Sequence, residues 1–223
     1  MTLKLFIQAI TKIILGVILV GFLIFLPAGT FFFFNGWLLM AALFMPMVFA
    51  GVIMMLRKPE LLKRRLNAKE HQKEQKLVVK YSGFMFIVGL VLAGLDFRFE
   101  WSSIPGNVVA IAVFVFLFAY ALYLEIIREN EFLSRIIEVQ QNQRVIETGL
   151  YSVVRHPMYA ATILLFLSIP VILGSIWSFL IFSAYPFIIA KRIKHEEKFL
   201  EQELDGYCEY KQKVKYRLIP FIW

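Results

Sequence analysis

Six apolar blocks, each close to the length of a membrane-crossing helix, constrain this chain more than any other feature. They cover about residues 5–26, 31–56, 79–97, 105–127, 157–173 and 176–190. Covering about 30 Å of hydrocarbon takes roughly 20 predominantly apolar residues in a helix. The apolar residues come in long blocks rather than amphipathic stripes, and 60% of the 223 residues are hydrophobic. The expectation is an all-α, polytopic integral membrane protein of about six hydrophobic helices with little outside the bilayer. The first block is interrupted by Lys12, is followed by further spans, and is too long for a cleaved signal peptide.

Charge gives the orientation. With the N-terminus in the cytoplasm, 23 of the 24 Lys and Arg residues fall on the cytoplasmic side and only Arg98 on the other. The positive-inside rule therefore puts both termini in the cytoplasm. It also accounts for the +8 net charge, so no nucleic-acid partner is expected. The short connections suit a bacterial or archaeal cell membrane. Cys208 is the single cysteine, which excludes an intramolecular disulfide and a cysteine-rich zinc site. With only His71, His156 and His195 besides, no metal centre is expected. The local run Phe31 to Phe34 reads as lipid contact or packing near an interface.

Ala160 to Ala190 contains no charged residue, yet polar clusters stand at both ends: Arg155-His156-Pro157-Met158-Tyr159 before it and Lys191 to Lys198 after it. A hairpin that enters and leaves the membrane on one side brings the two clusters to one surface. The blocks 157–173 and 176–190 would be about 25 and 22 Å long at 1.5 Å per residue. Pro170 and Gly174 lie where the chain must turn, so the expectation is a tightly packed hairpin that need not reach the far surface. Ionisable residues at such a place default to a functional hypothesis.

Pro is favoured at the first position of a helix, so the fifth span is expected to begin at Pro157. Its free N–H groups and positive dipole end then point toward any anionic ligand group. Tyr151 and Tyr159 could wall a planar ring. On a continuing helix Arg192 and Glu196 share one face at i, i+4. A carboxylate there could bind an ammonium or sulfonium group, and an Arg a carboxylate or phosphate. Taken singly, the first cluster reads rather as an interfacial belt and the second rather as a solvated, salt-bridged helix end. The hairpin that joins them favours a site.

Five motifs follow one another from Asn130 to Trp223: Thr148-Gly149-Leu150-Tyr151, Arg155-His156-Pro157-Met158-Tyr159, Arg192 with Glu196-Glu197, Tyr207-Cys208-Glu209-Tyr210 and Leu218-Ile219-Pro220-Phe221. Each is weak alone; in this order and spacing the region resembles the isoprenylcysteine carboxyl methyltransferases and the related membrane phospholipid N-methyltransferases. Residues 1–127 would be the N-terminal transmembrane helices and 128–223 the catalytic region. The N-terminal part matches loosely, through Pro59-Glu60-Leu61-Leu62 and the basic run after it.

The resemblance implies an S-adenosylmethionine-dependent methyltransferase acting on a lipid or lipid-modified acceptor, of the carboxyl O-methyltransferase type. The cofactor would lie in a cytoplasm-facing pocket made by the last two spans and the tail. Gln143, Arg144, Val145, Ile146 and Tyr151 would line its adenosine side. His156, Pro157, Met158 and Tyr159 would hold it along the helix mouth, and Glu196 would meet its methionine portion. Arg192 would face the acceptor. A carboxylate acceptor needs no base; an amine does, and Glu197 or His195 could serve. Most of the catalysis would be positioning of two partners in line. Ala161 departs from the family, which usually has Gly there. No G-x-G-x-x-G fingerprint is present, and none is needed for a nucleotide bound between helices. The competing reading is an NADPH-dependent membrane reductase of the sterol reductase type, which has a similar tail but usually Asn after the histidine, where this chain has Pro157.

Overall fold

The structure, a computed structural model, describes residues 3–57, 59–66, 73–130, 132–133 and 139–223. Parts of the second and fourth connections, His71 among them, lie outside the described residues. Helices α1 (Leu3–Ala28), α2 (Phe34–Arg57), α3 (Pro59–Leu66), α4 (Lys73–Phe99) and α5 (Gly106–Glu129) come first. They are followed by α6 (Pro157–Leu173), α7 (Ile176–Phe182), α8 (Tyr185–Glu203) and α9 (Tyr207–Lys213). No strand occurs among the described residues.

Five stretches are long and apolar enough to cross a membrane, with α7 and α8 counted as one, and α6 is a shorter apolar helix. The chain is a multi-pass, all-helical membrane protein, and the first five expected spans agree with the helices to within six residues. Ile14, Leu15, Ile18, Leu19, Phe22 and Leu26 of α1 are exposed. In water such a face would cost about 25 cal/mol per Å²; in hydrocarbon it is the solvated face. The inner faces of the long helices share one core around Ile24, Ala93, Phe116, Ile172, Phe182 and Ile193.

Two expectations about the hairpin are corrected. The last span does not run unbroken to residue 190. It breaks at Ser183 and Ala184, because Pro186 has no N–H with which to continue the helix. It then extends as α8 to Glu203. Pro170 is not part of the turn; it stays buried within α6. Gly174 makes the turn, at φ 81° in the left-handed region, donating its N–H to the carbonyls of Pro170 and Val171. Ser175 caps α7, its hydroxyl accepting the Ser178 N–H at 3.0 Å.

The hairpin also reaches further than its length suggests. Asp96, near the end of α4 and only 1% exposed, accepts the Ser102 N–H at 2.7 Å and the Ser102 hydroxyl at 2.6 Å. The Ser175 hydroxyl donates to the same carboxylate. The Ser102 hydroxyl accepts the Ile176 N–H at 3.0 Å. The hairpin turn is thus fastened at the level of the α4–α5 connection, opposite the two polar clusters.

Candidate functional site

The site is built where α6 begins. Gly149 opens a short 3-10 turn, Gly149–Ser152, at φ 52°, and a Cβ there would run into the Glu129 carboxylate. Glu129, the last residue of α5, accepts the Thr148 hydroxyl at 2.8 Å and the Leu150 N–H at 3.3 Å. Tyr151 is held from two sides: its hydroxyl accepts from the Asn130 amide at 3.0 Å, and its carbonyl accepts the Tyr210 hydroxyl at 2.7 Å. Leu61 of α3 joins Ile126, Ile127 and Tyr151 in one apolar cluster, so the loosely matching Pro59-Glu60-Leu61-Leu62 segment helps support the site.

Pro157 is the first residue of α6, as expected, with His156 as its N-cap. The preceding dipeptide is fixed by the tail. The Arg155 and His156 N–H groups donate to the Tyr216 and Arg217 carbonyls, each at 2.9 Å. Their side chains converge on Glu197, which is 2% exposed. Arg155 Nε donates to Glu197 Oε1 at 2.8 Å, His156 Nε2 lies 3.3 Å from the same oxygen, and Arg217 Nε donates to Oε2 at 2.8 Å. Arg155 also donates to the Val214 carbonyl at 2.6 Å. Three segments far apart in sequence, 155–156, α8 and the tail, are thereby joined around one carboxylate.

Glu196, one residue earlier, does something different. Successive helical residues point about 100° apart, so Glu196 turns from that hub into a cleft between α6, α8, α9 and the 143–146 segment. The Tyr159 hydroxyl donates to Glu196 Oε2 at 2.5 Å and accepts from Arg192 Nε at 2.8 Å. Arg192, Tyr159 and Glu196 form a continuous hydrogen-bonded series. Because α8 runs toward the site from the opposite end of the molecule, Arg192 lies about 6 Å deeper along that helix than Glu196.

Gln143, Arg144, Val145, Ile146, Tyr151, His156, Pro157, Met158, Tyr159, Arg192 and Glu196 all line this one cleft. Glu197 does not, nor does His195. Glu197, offered with His195 as a base for an amine acceptor, has both of its oxygens occupied within the buried hub. Ala161 is buried in the cluster of Ile126 and Tyr151 rather than at the cleft, so its extra methyl fills α5–α6 packing. Among the described residues no group of His, Cys, Asp and Glu could hold a metal ion.

Reading the sequence missed Leu200, Leu204, Tyr207 and Tyr210, which complete the cleft wall. The signal was present: residues 196, 200 and 204 fall at i, i+4, i+8, the spacing of one helical face. Tyr207 and Tyr210 are one turn apart on α9. Burial pushes the Tyr151, Tyr207 and Tyr210 phenols well above their ordinary range, so all three remain neutral. Among the described residues the buried Tyr207 hydroxyl has no hydrogen-bond partner.

Residues 107–205 match the family model described as phospholipid methyltransferase, the family that includes the isoprenylcysteine carboxyl methyltransferases. The resemblance carried by the motifs is thus borne out. The match takes in α5, the hairpin and α8, and it supports a membrane methyltransferase. Among curated proteins none matches the chain.

Proposed function

We propose that this chain, whose residues 107–205 match the phospholipid methyltransferases, transfers a methyl group from S-adenosylmethionine to an anionic, lipid-borne acceptor at the cytoplasmic face of a membrane. The observation that carries the reading is the cleft itself. Its lining offers a carboxylate, Glu196, and a buried phenol, Tyr207, with no partner among the described residues; the deeper end holds the Arg192 guanidinium. A zwitterionic, sulfonium-bearing nucleoside suits that donor set, since a carboxylate attracts its cationic groups and the neutral phenol can donate or accept. Gln143 to Ile146 and Tyr151 would hold the adenosine end, and Glu196 the amino-acid end. When bound, S-adenosylmethionine supplies an electrophilic methyl group to the acceptor by direct displacement.

The chain's own part is binding and alignment. Tyr159 ties Arg192 to Glu196, so the group meeting the acceptor and the group meeting the cofactor are held in register. Such alignment is worth orders of magnitude in rate. One observation bears on the acceptor class. Glu197 and His195, the two residues offered as bases for an amine, do not line it. An acceptor that arrives ionised needs no base, and Arg192 can meet its carboxylate with charge-assisted hydrogen bonds. This favours a carboxyl O-methyltransferase of the isoprenylcysteine type. The 23-to-1 distribution of Lys and Arg supports the cytoplasmic orientation.

Titration calorimetry on the purified protein in detergent tests this reading. S-adenosylhomocysteine should bind and NADPH should not. Binding of NADPH alone would replace the methyltransferase with the reductase.

A further inference from the structure

We infer that the Tyr207 hydroxyl binds the amino-acid end of the S-adenosyl ligand, beside Glu196; this rests on the function proposed above. Tyr207 is 4% exposed, and its hydroxyl has no hydrogen-bond partner among the described residues. A buried polar atom left unpaired is costly, and folded proteins rarely retain one without a use for it. Its neighbours in the same region are all satisfied: Tyr210 donates to the Tyr151 carbonyl, Tyr159 to Glu196, and both Glu197 oxygens are taken. Among the described residues the Tyr207 hydroxyl is held in position with nothing to hold. Its ring packs with Leu204, Tyr210 and Val214, which fixes it against the cleft that it lines.

The surroundings identify the part of the ligand. The charged groups that act on the phenol are Glu197, Glu196 and Arg155. Two of these are spent on the buried hub, and Glu196 faces the cleft. A neutral phenol beside a carboxylate can accept from an ammonium that the carboxylate attracts, or donate to the adjoining ligand carboxylate. Both groups belong to the methionine end of the ligand, and neither is present in its nucleoside.

Titration of purified wild-type and Tyr207→Phe protein with two ligands tests the assignment. S-adenosylhomocysteine carries the amino-acid end; 5′-methylthioadenosine lacks it. Tyr207→Phe should weaken S-adenosylhomocysteine about tenfold or more, as expected for a hydrogen bond to a charged group. It should leave 5′-methylthioadenosine unchanged. Without ligand the variant should melt at the same temperature as wild type or higher, because the substitution removes an unpaired buried group and no hydrogen bond. A second measurement keeps the hydroxyl: 3-fluorotyrosine at position 207 should show a ¹⁹F shift with S-adenosylhomocysteine and none with 5′-methylthioadenosine. Unchanged affinity for S-adenosylhomocysteine, or equal weakening of both ligands, overturns the assignment. Failure of the wild-type protein to bind S-adenosylhomocysteine overturns the proposed function as well.

Discussion

Glu196 and Glu197 are chemically identical neighbours in opposite settings, one lining the cleft and one buried in the hub, and their variants should separate cleanly. Glu197→Gln leaves Arg155, whose side chain is 4% exposed, without its carboxylate. Removing one partner of a buried pair costs about 3–5 kcal/mol, so thermal unfolding in detergent should report a large loss of stability. Glu196→Gln should unfold much as wild type does, yet bind S-adenosylhomocysteine roughly 10- to 100-fold more weakly, the loss of one hydrogen bond to a charged group. Similar stability losses in both variants would return Glu196 to a structural role. The i, i+4 pairing of Arg192 and Glu196 was legible in the sequence. The burial of Glu197 was not, because its partners Arg155 and Arg217 lie 42 and 20 residues away. Arg192→Ala should retain most of the cofactor affinity and lose transfer. Arg192→Lys should rescue it poorly, since an ammonium cannot hold Tyr159 with one nitrogen while presenting a planar fork to an acceptor. Full turnover by Arg192→Ala would remove Arg192 from the acceptor site.

At the scale of elements, the hairpin is held at both ends by unlike devices. Charge fixes the end near the site, where Glu197 gathers Arg155, His156 and Arg217. Neutral donors around one carboxylate fix the other, where Asp96 receives Ser102 and Ser175. Asp96→Ala would leave those donors unpaired at about 1–3 kcal/mol for each one that stays buried. The melting temperature should fall while S-adenosylhomocysteine affinity stays within about twofold, the site being at the opposite end of the helices. A large loss of affinity without a loss of stability would mean that the two ends are coupled. Block length and the Pro157 start revealed the spans and the helix carrying the first cluster. The reach of the hairpin was hidden, because isolated Ser and Asp residues carry no signal of which distant helix they will meet. The α7–α8 break at Pro186 was hidden as well, since apolar residues continue on both sides of it.

Across the whole molecule, the apolar faces of α1 and α2 meet lipid and the polar groups gather at the two ends. The basic asymmetry supports the proposed orientation, and the native cysteine reports on it. Cys208 is exposed near the site, and Ser103 is exposed at the opposite end. In intact cells a membrane-impermeant maleimide should spare Cys208. It should label Ser103→Cys in a Cys208→Ser background; the reverse pattern would invert the topology. The proposed division of labour in the cleft leads to one decisive measurement. Purified protein in lipid vesicles, supplied with S-adenosylmethionine carrying a radiolabelled methyl group, should move label into an anionic, organic-extractable acceptor from the source membrane. Mild base should release that label as methanol, as from a carboxyl methyl ester. Label that enters the extract and resists base would contradict the carboxylate acceptor, and no transfer under conditions where S-adenosylmethionine binds would contradict the methyltransferase itself.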